Sequence, residues 1–169
     1  IFFFCVDTCL EEEDLRALKE ALIVSLSLLP QHALVGLITF GTMVSVHELG
    51  FEEMPKAYVF RGAKDYTTAQ LQEMLGLSPS SSGGQPQQPQ QPQQQVKNVQ
   101  QASRFILPVG KVEFALSNIF EQLQRDPWPV DSDKRPQRAT GTACSIAVSL
   151  MESLFPNHGA RLMMFLGGA

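Results

Sequence analysis

Two hydrophobic patterns take turns along the chain. Ile1-Phe2-Phe3-Phe4-Cys5-Val6 is an unbroken apolar run. A run without alternation is the habit of a strand buried on both faces, as in parallel sheets. It stops at Asp7-Thr8-Cys9, and Glu11, Glu12, Glu13 and Asp14 open a helix, since carboxylates favour the positive end of a helix dipole. Leu15, Leu18, Leu22, Leu26 and Leu29 recur at three- and four-residue steps and form one stripe of that helix, which Pro30 terminates. Ala33 to Phe40 is a second buried-type strand and Gly41-Thr42 a tight turn. Met43 to Leu49 alternates, with Val44 and Val46 on one face and Ser45 and His47 on the other, which predicts an antiparallel edge strand in a hairpin. Ala57 to Gly62 is a short extended piece, and Thr67 or Thr68 caps a short helix through Leu71, Met74 and Leu75.

From Ser78 to Gln101 the composition collapses into Ser, Gly, Pro and Gln. Such a tract cannot offset its ordering entropy and is expected to be a disordered insertion between two parts of one domain, residues 1–77 and 102–169. Pro86, Pro89 and Pro92 follow the period of polyproline II. No basic anchor flanks them, so a variable linker is expected ahead of a ligand for a proline-binding domain. Order resumes at Phe105 to Val109, and Val112, Leu116, Ile119, Phe120 and Leu123 mark a further amphipathic helix. Trp128 stands between Pro127 and Pro129. A tryptophan folded back on the domain is expected there by its large apolar area, with an exposed partner anchor as the alternative. Thr140-Gly141-Thr142 leads a helix carrying Ile146, Leu150 and Leu154, and the last strand runs from Arg161 to Leu166.

Buried strands interleaved with amphipathic helices predict an α/β fold: a mostly parallel, Rossmann-like sheet with helices on both faces and one antiparallel edge strand. Such sheets usually hold about five or six strands. Four are clear in the pattern, and both ends of the chain are apolar, so a fragment is expected, with one or two strands beyond Ala169.

Composition narrows the function. The chain has 169 residues, 44% of them hydrophobic, enough for a real core and about one domain. Lys and Arg total 13 against 17 Asp and Glu, a net charge of -4, which disfavours binding to nucleic acid through phosphate neutralisation. Three cysteines without paired spacing argue against a disulfide framework.

Ligands of α/β sheets bind beyond the carboxyl ends of the strands, where Asp7 stands. A von Willebrand factor A domain builds a magnesium site at that edge from D-x-S-x-S, a later Thr and an Asp after the fourth strand. Magnesium demands oxygen ligands in octahedral array. Here Cys9 and Glu11 replace the two serines, Thr140 or Thr142 stands for the Thr, and Gly167-Gly168 stands where the Asp belongs. A degenerate site at Asp7, Cys9, Glu11 and Thr142, without metal, is therefore expected. His32, His47 and His158 are isolated and expected on the surface or in loops. Neither a GxSxG elbow nor a phosphate-cradling GxxxxGK[ST] loop occurs, and nothing in the sequence lowers the pKa of Cys144, so no catalytic residue is assigned.

The segments FCVDTC, ALVGLITFGTMVSVHELG, YVFRGAKD, RDPWPV, ACSIAVSLMES and FPNHGARLMMFLGG closely resemble the trunk domain of the Sec-twenty-three family. The resemblance covers nearly the whole chain except Ser78 to Gln101. It implies a von Willebrand A-like fold and a COPII coat component, cytoplasmic and peripheral on the endoplasmic reticulum membrane and on coated vesicles. That component promotes transport to the Golgi, pairs with a cargo-binding sister subunit and activates the small GTPase Sar. It meets outer-coat proteins through other parts of the parent. The family's arginine finger and zinc finger belong to other domains, so the resemblance implies no cofactor here. It assigns the finger to none of Arg61, Arg104, Arg125, Arg135, Arg138 and Arg161. The alternative is a metal-dependent von Willebrand A-type protein-binding domain.

Overall fold

The computed structural model describes residues 1–51, 54–77 and 104–167. The elements are β1 (Phe2–Asp7), α1 (Glu12–Leu28), β2 (Leu34–Phe40), β3 (Met43–Glu48), β4 (Lys56–Arg61), α2 (Thr68–Met74), β5 (Leu107–Pro108), α3 (Val109–Gln122), α4 (Thr140–Leu154) and β6 (Arg161–Phe165). The strand order is β4-β3-β2-β1-β6, with β5 also paired to β2. β1 lies parallel between β2 and β6, while β3 and β4 extend the sheet in antiparallel sense. This is the α/β, von Willebrand A-like arrangement expected. One element differs: Ala57 to Gly62, read as a short extended piece, falls largely in the outermost strand, Lys56–Arg61, so the antiparallel edge is two strands deep. The Gln- and Pro-rich tract read at 78–101 lies outside the described residues.

Burial on both faces explains the unbroken apolar strands. Phe3, Cys5, Ile38, Phe40 and Val44 point into one core, closed by α4 through Ile146, Ala147 and Leu150 and by α2 through Leu71. Phe4, Val6, Val35 and Leu37 point into the other, closed by α1 through Leu22 and Leu26 and by α3 through Val112, Leu116 and Phe120. Phe4 is the hinge-pin of the second core. Its ring meets Phe120 edge-on at 6.4 Å and stacks on Phe165 at 6.0 Å, which joins a helix to two neighbouring strands. On the opposite face Gly36 lies beside Phe3 in the register, and a Cβ there would meet the Phe3 ring.

Local rules set the element ends. Thr67 caps α2 in a full capping box with Gln70. Gly76, at φ 65°, ends it in the left-handed region that glycine enters at little cost. Asn157 takes the same conformation, φ 64°, in the turn before β6.

Two titratable groups on β3 are held away from bulk water. Glu48 is buried and bound by Arg104 Nε at 2.9 Å, Lys56 Nζ at 2.9 Å and the Tyr58 hydroxyl at 3.0 Å. The Arg104 guanidinium, with Lys56 and Tyr58 behind it, pulls the Glu48 carboxyl down to about 2 against the opposing effect of burial. Arg104 also donates to the Leu75 carbonyl, so one side chain links β3, the exit of α2 and the approach to β5. His47, expected at the surface, is instead enclosed. Its Nε2 shares a hydrogen bond with Thr39 Oγ1 at 3.0 Å and its Nδ1 is buried without a partner. The face of β3 that carries Ser45 and His47 is half-buried, and desolvation holds the imidazole down at about 4.

Two predictions follow from this packing. Phe4→Ala removes the ring that joins β1, β6 and α3, and should cost about 3–5 kcal/mol in urea unfolding; a loss below about 1 kcal/mol would contradict the central place given to that ring. Acid should destabilise the fold in two windows. Between 6.5 and about 4 the unfolded state takes up a proton at His47 that the native state excludes. Between 4.5 and about 2 the pairing of the Glu48 carboxylate is lost. His47→Asn should flatten the upper window of a stability-versus-pH curve and leave the lower one; an unchanged upper slope would refute the assignment.

Candidate functional site

The carboxyl ends of β1, β2 and β6 meet the turn before β3, the exit of β4, the start of α4 and the loop from Leu123 to Ala139. Parallel strands deliver their last residues to one edge, so this is where side chains from distant parts of the chain converge.

Asp7, the last residue of β1, is fully buried there. Its Oδ1 accepts from the Cys9 amide at 2.7 Å. Its Oδ2 accepts from the Gly167 amide at 3.1 Å and from Arg138 Nε at 2.7 Å. The same guanidinium donates through a terminal nitrogen to the Cys9 carbonyl at 3.2 Å. Both carboxylate oxygens are thus engaged, and the counter-charge comes from the chain itself. An unpaired carboxylate at this depth would cost several kcal/mol, so the pair is required once Asp7 is buried.

The other residues expected at a metal site turn to different partners. Thr142 Oγ1 donates to the Gly62 carbonyl at 2.6 Å and so fastens the first turn of α4 to the exit of β4. Glu11 is exposed and forms a two-pronged pair with Arg125, at 2.9 and 3.0 Å. Cys9 is buried, and its thiol donates to Asp126 Oδ2 at 3.6 Å. Burial, with the charges of Asp7 and Asp126, pushes that thiol up to about 12, so it stays protonated and presents no thiolate. Thr140 leads α4, as expected, and no side-chain bond caps that end. At Gly167 a Cβ would overlap the side chain of Leu10, so the position cannot carry an aspartate without moving that leucine. A hard divalent ion needs convergent oxygens; here the one buried carboxylate faces a guanidinium, and the residues do not fit such an ion. Among the described residues no group of three or more His, Cys, Asp or Glu side chains is placed to hold a metal.

Two residues that the sequence did not single out complete the arrangement. Asp126 is a staple: its Oδ2 accepts from the Thr42 amide at 2.6 Å, its own amide donates to the Thr8 carbonyl at 2.8 Å, and its Oδ1 accepts from the Trp128 amide at 3.4 Å. Gly41 makes room for it, because a Cβ there would overlap the Asp126 carboxylate. Arg138 is the second. The Asp-Pro step of RDPWPV hints at an ordered loop, whereas nothing local marks Arg138, whose partner lies 131 residues away. The Ala139 amide closes the loop onto the Gly41 carbonyl at 2.8 Å.

The stapled loop projects Trp128 into solvent. The side chain expected to fold back is 54% exposed, with Val130 at 43% beside it in sequence. The pyrrolidines of Pro127 and Pro129 restrict the backbone on either side, and the Asp126 hydrogen bonds fix the base of the loop. Trp128 lines two concavities. One, of about 600 Å³, includes Met43, Arg61 and Ala63. The other, of about 240 Å³, includes Arg125, Val130 and Pro136. An exposed aromatic side chain with apolar neighbours and basic residues around it is suited to contact another protein.

The model of the Sec23/Sec24 trunk domain matches residues 1–169, and the chain belongs to that family. The trunk is a structural domain of COPII coat components rather than a catalytic one.

If Asp126 is the staple, Asp126→Ala should cost about 1–3 kcal/mol and speed tryptic cleavage after Arg125 and Lys134. Cleavage at the native rate would show that the loop is held by other contacts.

Proposed function

We propose that this trunk domain belongs to the Sec-twenty-three side of the inner COPII coat and is a protein-binding plate that pairs with the cargo-binding sister subunit. The sequence segments that distinguish that side, the LVGLITFG strand with its MVSVHELG hairpin and the RDPWPV loop, build the edge just described. On this reading the protein works in the cytoplasm, is recruited to the endoplasmic reticulum membrane, and serves traffic to the Golgi. Activation of the small GTPase Sar and contact with the outer coat belong to other parts of the parent. The domain's own contribution is a rigid surface. Arg104 and Arg138 are each committed to a buried carboxylate, which supports roles in holding the fold rather than in catalysis, while Arg125 pairs with the exposed Glu11 at the surface.

The observation that carries the proposal is the exposure of Trp128 on a loop fixed at both ends. A rigid anchor loses little entropy on binding, and interfaces concentrate their energy in such aromatic residues. The metal-dependent alternative requires an acidic ligand to complete the coordination of a bound ion, and the Asp7–Arg138 pair leaves no such vacancy in the protein's own donor set.

Size-exclusion chromatography of the chain with the sister subunit's trunk should give a one-to-one complex. Trp128→Ala should weaken it by about 30-fold or more, equivalent to about 2 kcal/mol, with the melting temperature changed by less than about 2 °C. Undiminished affinity would remove Trp128, and the edge it marks, from the interface.

A further inference from the structure

We infer that the Arg138 guanidinium is the resident cation of the carboxyl-end pocket, standing where a related fold would bring a divalent ion. Four observations converge on this. Asp7 has no solvent exposure, so its charge must be met from within the protein. Arg138 meets it at 2.7 Å and bridges to the Cys9 carbonyl at 3.2 Å, so one planar group engages both the carboxylate and the loop that follows β1. Asp7 also accepts from the amides of Cys9 and Gly167, which lie just beyond the ends of two adjacent parallel strands. Leu10 covers Gly167, Cys9 keeps its proton, and the nearby Asp126 carboxylate is engaged by the Thr42 amide and the Cys9 thiol, so no second free carboxylate and no thiolate converge with Asp7 on a metal.

The guanidinium is a positioning group. Its stem rises from the last residues before α4, so pairing with Asp7 draws the far end of the 123–139 loop onto the sheet, while Asp126 holds the near end. The fork reaches an acid and a carbonyl at once and is covalently part of the chain, so it ties the loop to the sheet, whereas a free ion would meet the charge of Asp7 without tethering residue 138. Removing the fork leaves a buried acid beside an unpaired carbonyl, a pocket complementary to a small planar cation. The pocket is therefore a guanidinium site that the chain fills with its own side chain, and the arrangement of the exposed loop is independent of divalent ions.

Thermal unfolding tests this. The native chain should show no change in melting temperature on adding millimolar Mg²⁺. Arg138→Ala should melt lower by on the order of 10 °C, and millimolar guanidinium, far below denaturing levels, should restore about 3 °C or more to the variant and nothing to the native chain. Mg²⁺ should not substitute. Should Arg138→Ala fail to fold, Arg138→Met alone and Arg138→Met with Asp7→Asn decide the matter. The double variant should fold with a higher melting temperature than the single one, because neutralising Asp7 removes the uncompensated charge. A native chain stabilised by Mg²⁺, rescue by Mg²⁺ equal to rescue by guanidinium, or a double variant no better than the single would each overturn the inference.

Discussion

A carboxylate sealed from water at the end of a central strand has to be answered by a positive charge, and the edge of this sheet is arranged around that answer. Asp7 sits on β1, the strand flanked in parallel by both β2 and β6, so its position is fixed by the core itself. Arg138 reaches it from the other end of the long loop. The pair fastens one end of the irregular Leu123 to Ala139 loop to the carboxyl edge of the sheet. Asp126 does the same from the opposite end, tying to the amide of Thr42 and, through its own amide, to the carbonyl of Thr8. What lies between the two tethers, Trp128 and Val130, is presented rather than buried.

The two cores support this edge from beneath. Each strand of the parallel centre sends alternate residues to opposite layers, so neither layer of helices can shift without disturbing the strand ends. Phe4 and Phe165 couple β1 to β6 within one layer, and the amides of Cys9 and Gly167, just beyond those strands, both point at Asp7. The packing that stabilises the fold is also what preorganises the surface, a common economy in α/β domains whose functional groups ride on loops held by a rigid sheet.

Much of this architecture was legible in the pattern of residues. The continuous apolar runs of β1 and β2 announced strands buried on both faces, the leucine stripe announced α1, and the Thr67-Thr68 pair marked the start of α2, with Thr67 as the cap in the structure. The residues also pointed to a degenerate von Willebrand A-type metal site, with two of the three positions Cys9, Glu11 and Gly167 failing to supply the oxygen ligand. Three things were not legible. β4 lacks the apolar run of the central strands because it is an edge, and only Phe60 of its residues is buried, so the pattern marked a short extended piece without placing it in the sheet. His47 alternates with two valines as a solvated residue would, and only the packing around it shows that its Nδ1 is shut off from water. Arg138 carries no local signal at all: an ion pair spanning most of the chain is a property of topology, not of spacing. Trp128 was misjudged for a related reason. Its apolar area favours burial, but two prolines and the Asp126 staple restrict the backbone on either side of it, and the ring stands 54% exposed.

A trunk domain of this family thus combines a familiar sheet with an edge whose charge balance is internal, and the central claim is that its partner-binding surface needs no metal. Titration calorimetry of the chain against the sister subunit's trunk, once in EDTA and once in millimolar Mg²⁺, tests that claim most directly. The account predicts dissociation constants equal within about twofold, a difference of roughly 0.4 kcal/mol. An affinity that falls about tenfold or more in EDTA would mean that an ion, and not Arg138, completes the surface, and would contradict the account.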